Sequence, residues 1–426
     1  MDAPSFPLLT VLNSAAGQSM DYHCPGERQP VSRAIHLARL ASGHRACREC
    51  RHQQETGSLP GAVIKRLRQR PTNPTFLMNV DEGIRGLYTN ELTRERISYI
   101  VRCILDIVEE ERESEQSDTT PINGPLRIVV GFDGRPESPD LAIGVVQALK
   151  QSLTDLIDVG LVTRPELDFS IDRFHPHLGL FVTGGLHSVG WTGLDLLDGQ
   201  SWPWLTMERQ LKLQQRLDSQ SIPRRSRVAG RYQTVEISGE YEAALSHQFH
   251  ALRPLRIGIT CPDHKILGMV KKLTGQTPCD VRFLQTGSSR QSERSQKSLP
   301  DLICERHLDL GFAIAQDGRG CELFDETGAK LSVDAISELL LLPYNNLSDE
   351  KRTGGRDILH IFPDERTRRE RQRSSEIPVI VDEAGRSFFL DESPACDAVQ
   401  TFARLLEVLS LSERRLSYVV ASLSEK

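Results

Sequence analysis

The sequence predicts an α/β protein of consecutive layered domains, on two observations: strand-length apolar runs alternate with helix-period stretches from about residue 75 onward, and the cycle then recurs. Leu-Arg-Ile-Val-Val-Gly-Phe at 126–132 reads as a buried strand. A helix is expected over 138–153, with Leu141, Val145, Val146 and Leu149 on one face, and further strands at 156–162 and 178–183. The second cycle places a strand at 255–261, a helix at 264–273 and a strand at 281–284, followed by a strand pair at 308–315 and 321–324. A last helix is expected at 397–409. Such alternation argues for mixed, mostly parallel sheets covered on both faces. The stretch 200–250 reads as polar and irregular.

Bulk composition fits several soluble domains. With 426 residues and 38% hydrophobic content, the chain has material for about three domains of ordinary size. No apolar run nears the roughly 20 residues of a membrane helix, and the start, Met-Asp-Ala-Pro-Ser-Phe, lacks a basic region ahead of an apolar core, so a cytoplasmic protein without membrane partner is expected. A net charge of −6 argues against a nucleic-acid partner, despite basic runs at 63–70 and 366–373. The run at 364–373 interleaves acids with its arginines and has no aromatic for base stacking, which makes 343–377 a solvated linker. Nine scattered cysteines suit reduced thiols.

Residues 1–74 differ in character. Cys24, Cys47, Cys50 and His52, with His44 as substitute for His52, have the residue types and the CxxC spacing of a structural zinc site, and a metal would supply folding energy that so short a segment cannot draw from a core. The alternative is free thiols beside a basic helix around 33–45.

Four segments, in order, resemble the α-D-phosphohexomutases, the phosphoglucomutase/phosphomannomutase family. Glu82-Gly83-Ile84-Arg85-Gly86 with Glu91-Leu92-Thr93 is similar to that family's entry motif, and Gly131-Phe132-Asp133-Gly134-Arg135-Pro136-Glu137-Ser138 to its Gly-Arg-Asp-Thr-Arg-x-Ser-Ser. Residues 179–197 resemble the catalytic loop: Val182 and Thr183 match, and Trp191 and Gly193-Leu194 follow in place. Residues 309–320, fixed in register by Asp325-Glu326-Thr327-Gly328, stand where the family has its metal loop. A fifth, Asp382-Glu383-Ala384-Gly385-Arg386 with Phe389-Leu390-Asp391 and Asp397, is similar to the sugar-binding loop. The resemblance implies consecutive α/β/α domains at 75–215, 216–332 and 333–426, the last partial, with no room for the family's fourth domain.

What the resemblance implies for chemistry is mixed. Its phosphoserine place falls on Gly185, which has no oxygen to carry a phosphoryl group. Its three magnesium-binding aspartates fall on Ala315, Asp317 and Arg319, leaving Asp317 as the sole carboxylate beside a guanidinium, a poor offer to an ion that wants hard oxygen ligands. Arg85, Arg135, Asp382 and Arg386 fall on places that face the family's central cleft and imply a weakly held hexose phosphate. The competing account pairs those arginines with neighbouring acids such as Glu82, Asp133 and Glu383. The expectation is therefore a mutase-like protein of carbohydrate metabolism without mutase turnover, binding a sugar phosphate or a partner protein; the alternative is an active mutase using Ser188, next to His187, as displaced nucleophile.

Overall fold

The computed structural model describes residues 76–344 and 379–424, apart from 80–82, 115–123, 189, 221–229, 285–297 and 390–392. Of the first 75 residues it describes 22–23, 29–42, 44, 47, 50–61 and 63–64. Cys24, Glu82, Leu390, Asp391 and the expected linker from 345 to 377 lie outside the described residues. Contacts divide the chain into two compact units, residues 1–75 with 88–91, and 76–87 with 92–426.

In the first unit, helix α1 (Arg33–Ser42) carries His36 into a small buried cluster. The Tyr22 ring stacks on His36 with centroids 4.0 Å apart, and His52 meets Tyr22 edge-on at 5.1 Å. Cys47 and Cys50 are buried. His52 is not placed as a zinc ligand: its Nδ1 is bonded to Glu55 Oε1 at 2.6 Å and its Nε2 accepts from Arg51 Nε at 2.9 Å, so both ring nitrogens are engaged. Among the described residues no three His, Cys, Asp or Glu side chains gather as a metal site. No described helix is long and apolar enough to cross a membrane.

Among its described residues the second unit holds three sheets. The first has seven strands in the order β1-β2-β6-β5-β3-β4-β7: β1 (Leu77–Asn79), β2 (Gly83–Leu87), β3 (Leu126–Phe132), β4 (Thr154–Leu161), β5 (Leu178–Val182), β6 (Trp191–Asp198) and β7 (Tyr232–Thr234). β5, β3, β4 and β7 run parallel, while β1, β2 and β6 pair antiparallel. Helix α2 (Arg94–Ser114) packs on α3 (Ser138–Lys150), and α4 (Arg164–Phe174) packs on β3 and β5. On β3, Val129 joins Leu167 and Ile171 of α4 in one cluster, and the alternation of a strand sends Ile128 and Val130 to the opposite face. α4 starts where it does because Thr163 and Glu166 form a reciprocal capping box with Pro165 in the first turn.

Residues 200–250 are more regular than their composition suggests. They hold α5 (Met207–Asp218), β7 and α6 (Ser238–Ser246). α5 spaces Met207, Leu211, Leu213 and Leu217 at helical intervals within an otherwise charged and polar stretch and buries Leu213, while β7 is an edge strand exposed at all three positions with no alternation to read.

The second sheet runs β11-β10-β8-β9, with β8 (Arg256–Thr260) parallel to β9 (Asp280–Leu284) and β10 (Leu310–Ile314), and β11 (Cys321–Phe324) antiparallel at the edge. Helices α7 (His264–Thr274), α8 (Leu299–Arg306) and α9 (Val333–Leu341) belong to this part. The third sheet is antiparallel, β12 (Val379–Val381), β13 (Ser387–Phe389) and β14 (Ser393–Cys396), followed by α10 (Ala398–Ser410) and α11 (Leu416–Ser424). The second and third sheets share one hydrophobic core, in which Phe312 and Phe402 lie 4.9 Å apart.

Candidate functional site

A cleft of about 690 Å³ opens at the carboxyl ends of the parallel strands. Its walls come from the turns after β3, β5, β8 and β10, and include Asp133, Arg135, Gly185, Ser188, Lys265 and Asp317. Such crevices are where open α/β sheets place ligands, because the turns there bring helix starts and loop amides together.

Asp133 and Arg135 build the floor. Asp133 accepts from Thr183 Oγ1 (2.7 Å), from the Arg135 amide (3.2 Å) and from Ser138 Oγ. The Arg135 guanidinium donates to three carbonyls of the following loop, Gly185 O (2.6 Å), His187 O (2.9 Å) and Trp191 O (3.3 Å). The retained Asp, Arg and Ser of this motif thus form a clamp on the 183–191 loop. Glu137 adds a bond from the Gly190 amide at 2.9 Å.

Gly185 sits in that loop with φ +57°, a left-handed conformation that L side chains rarely adopt. Beneath it lies Arg85, 3% exposed, donating to Ile84 O (2.9 Å) and to Asp195 Oδ1. Asp195 Oδ2 accepts from Arg164 Nη1 (2.7 Å), and Arg164 Nε reaches Asp168 Oδ1 (3.1 Å). Burial by itself would raise Asp195; Arg85, Arg164 and Arg319 outweigh it and hold the carboxyl below its usual range. Asp168 goes the other way, burial raising it more than Arg164 and Arg319 lower it.

Ser188 is exposed at the cleft rim, while the His187 ring lies flat on Trp191, centroids 4.9 Å apart. Burial pushes the Cys261 and Cys321 thiols up to about 12, so neither offers a thiolate near neutral pH. Lys265 Nζ bridges from α7 to α4, donating to Glu166 Oε2 (2.7 Å), Leu161 O (2.9 Å) and Ser238 Oγ (3.0 Å).

Asp382 and Arg386 form a closed turn against β11. Asp382 accepts from the amides of Ala384 (3.0 Å) and Arg386 (2.9 Å) and from Arg386 Nε (2.6 Å), and Cys321 N donates to Gly385 O (3.0 Å).

Of the residues the sequence points to, Arg135, Gly185, Ser188 and Asp317 share the cleft, with Arg85 directly under Gly185. The acids that pair with the arginines are Asp195 for Arg85, Asp133 for Arg135 and Asp382 for Arg386. Asp195, Arg164, Asp168 and Lys265 were missed. Asp195 was legible as a lone acid inside an apolar strand, and Arg164 with Asp168 as an i,i+4 pair on a helix; Lys265 left no local signal.

Residues 80–211 match the family model for phosphoglucomutase/phosphomannomutase, alpha/beta/alpha domain I. The chain is 22% identical over 386 residues to a phosphomannomutase/phosphoglucomutase of Pseudomonas aeruginosa, covering 83% of this chain and 78% of that one. A phosphomannomutase/phosphoglucomutase of Pseudomonas syringae is 24% identical over 285 residues, covering 65% and 57%. The fold agrees with a crystal structure of a phosphoglucomutase/phosphomannomutase family protein from Burkholderia thailandensis, with TM-score 0.62, 18% identity and 82% and 80% coverage. Family model, relatives and fold together support the α-D-phosphohexomutase family.

The family implies a magnesium-dependent mutase, and the described residues of this chain do not fit the ion. Where the metal loop runs, Asp317 Oδ1 accepts from the Arg319 amide (3.0 Å), and Arg319 Nε donates to Cys396 Sγ (3.1 Å). A guanidinium therefore lies among the carboxylates that an ion would need.

Proposed function

We propose that this chain is a phosphohexomutase-fold protein of carbohydrate metabolism that does not turn over hexose phosphates, and whose cleft loosely holds a phosphorylated hexose. The observation that carries the reading is Gly185: the nucleophile place has no side-chain oxygen, its φ is left-handed, and Arg85 fills the space behind it. Support for ligand binding comes from the preserved clamp of Asp133 and Arg135 and from the start of α7, where His264 and Lys265 border the cleft. Arg135, the arginine of this set that lines the cleft, is paired with Asp133 while Arg85, Asp382 and Arg386 are not among the lining residues, so a bound phosphate competes with Asp133 and affinity stays weak, roughly millimolar to tens of micromolar.

The test pairs a hexose 1-phosphate to 6-phosphate conversion assay with calorimetric titration of glucose and mannose phosphates in chelator. Heat without turnover is expected. Turnover that vanishes in Ser188→Ala would establish the displaced-serine mutase instead, and no heat at several millimolar ligand would leave a partner-binding role.

A further inference from the structure

Glu137 is a buried acid with one oxygen unused. It stands at the N-cap position of α3, where its side chain makes no cap bond, and it lines the cleft at 8% exposure. Its Oε1 accepts from the Gly190 amide at 2.9 Å, which fixes the carboxyl against the loop that carries Gly185. Its Oε2 is buried and has no hydrogen-bond partner among the described residues. A buried polar oxygen in that state costs free energy unless a donor reaches it, and folded proteins leave few of them without a reason.

The donors that line the cleft are engaged elsewhere. Arg135 gives its guanidinium to Gly185 O, His187 O and Trp191 O, Arg164 to Asp168 and Asp195, and Lys265 its ammonium to Leu161 O, Glu166 and Ser238. Asp133, four residues before Glu137, is the reverse case: both its oxygens are filled, by Thr183 Oγ1, Ser138 Oγ and the Arg135 amide. The cleft wall thus holds an open acceptor in a fixed place, and what it lacks is a donor. Two large apolar side chains line the same space, Leu161 at 51% and Leu186 at 65% exposure. A hexose complements both, with hydroxyl donors around its edge and C–H carbons on its ring faces. We propose that Glu137 is a sugar-recognition residue of this cleft, its Oε2 accepting from a ring hydroxyl of the bound hexose. The inference rests on the reading of the cleft as a hexose-phosphate site and adds the residue that selects among hexoses, since the hydroxyl has to be present to fill Oε2.

The experiment uses the full chain and NMR titration, which reads weak binding, with glucose 6-phosphate and its 2-deoxy, 3-deoxy and 4-deoxy analogues. One of the analogues is expected to bind the wild type about tenfold more weakly than the parent, the loss of one hydrogen bond to a buried acceptor. Glu137→Met should bind the parent about tenfold more weakly and be indifferent to that same deletion, because the acceptor is already gone. Glu137→Gln keeps an acceptor for the Gly190 amide and should melt within about 2 °C of the wild type, since Oε2 has no partner to lose. It should also bind the parent more weakly, which provides a readout should the methionine variant fail to fold. A glutamine variant that melts several degrees lower would make the carboxyl a structural group and overturn the proposal. Equal losses on hydroxyl deletion in wild type and Glu137→Met, or no loss with any analogue, would overturn it while the hexose-phosphate reading stands. A wild type that binds none of the four ligands would overturn both.

Discussion

The guanidinium of Arg85 lies where a side chain on Gly185 would have to go. A Cβ added to Gly185 would come within 3.1 Å of Arg85 Nη2 and 3.4 Å of its Nε, while Arg85 is itself held by Asp195 and by Ile84 O. The glycine at this position and the buried arginine are one packing arrangement.

On the proposed reading, a serine placed at Gly185 should not by itself create turnover. Gly185→Ser places an L residue at φ +57° against a fixed guanidinium, at an expected loss of about 1–2 kcal/mol. Thermal melts should show a drop of a few degrees, and the variant should convert no hexose 1-phosphate to 6-phosphate.

Arg135 should prove structural to the loop above it. Arg135→Ala removes three donor bonds to Gly185 O, His187 O and Trp191 O, an expected loss of roughly 2–4 kcal/mol. Amide hydrogen exchange in 183–191 should accelerate far more than in β3 or β4. Arg135→Lys should recover little, since a lysine cannot reproduce the planar fork that spans three carbonyls.

Asp195 carries the heaviest share of the ionic network. Asp195→Asn leaves the buried Arg85 and Arg164 facing a neutral amide, and breaking a largely buried pair from one side costs up to about 3–5 kcal/mol. The urea midpoint should fall accordingly. An unchanged midpoint would show that water already compensates these arginines.

Asp397 should give a stability trend opposite to that of a salt-bridged acid. It caps α10 through the Val399 and Gln400 amides and accepts from the Tyr241 hydroxyl, with Asp168 also near, and burial pushes its carboxyl up to about 6 from 3.8. Between those values the folded state binds the proton more readily than the unfolded chain, so this group's contribution falls as pH rises from about 4 to 6, by on the order of 3 kcal/mol. Asp397→Asn keeps a good cap and removes the titration. Its melting temperature relative to wild type should therefore be higher at pH 7 than at pH 4; equal differences at both would refute the assignment.

By itself the sequence determined the fold class, β3, β4 and β5 of the first sheet and the four strands of the second to within a few residues, and the family resemblance, because strand and helix periodicity and the ordered motifs are local patterns, while β1, β2, β6 and β7 went unread. It also located the cleft loop, since Gly185, Arg135 and Asp317 fall in those motifs. Only the tertiary structure decided what the charged residues do. Arg85 meets an acid 110 positions away and Arg319 a cysteine 77 positions away, and β7, exposed at all three positions, keeps no apolar alternation to read. The physical reason is range: hydrophobic patterning is written into neighbouring residues, whereas the partner of a buried charge is chosen by which strands and turns the sheet brings together.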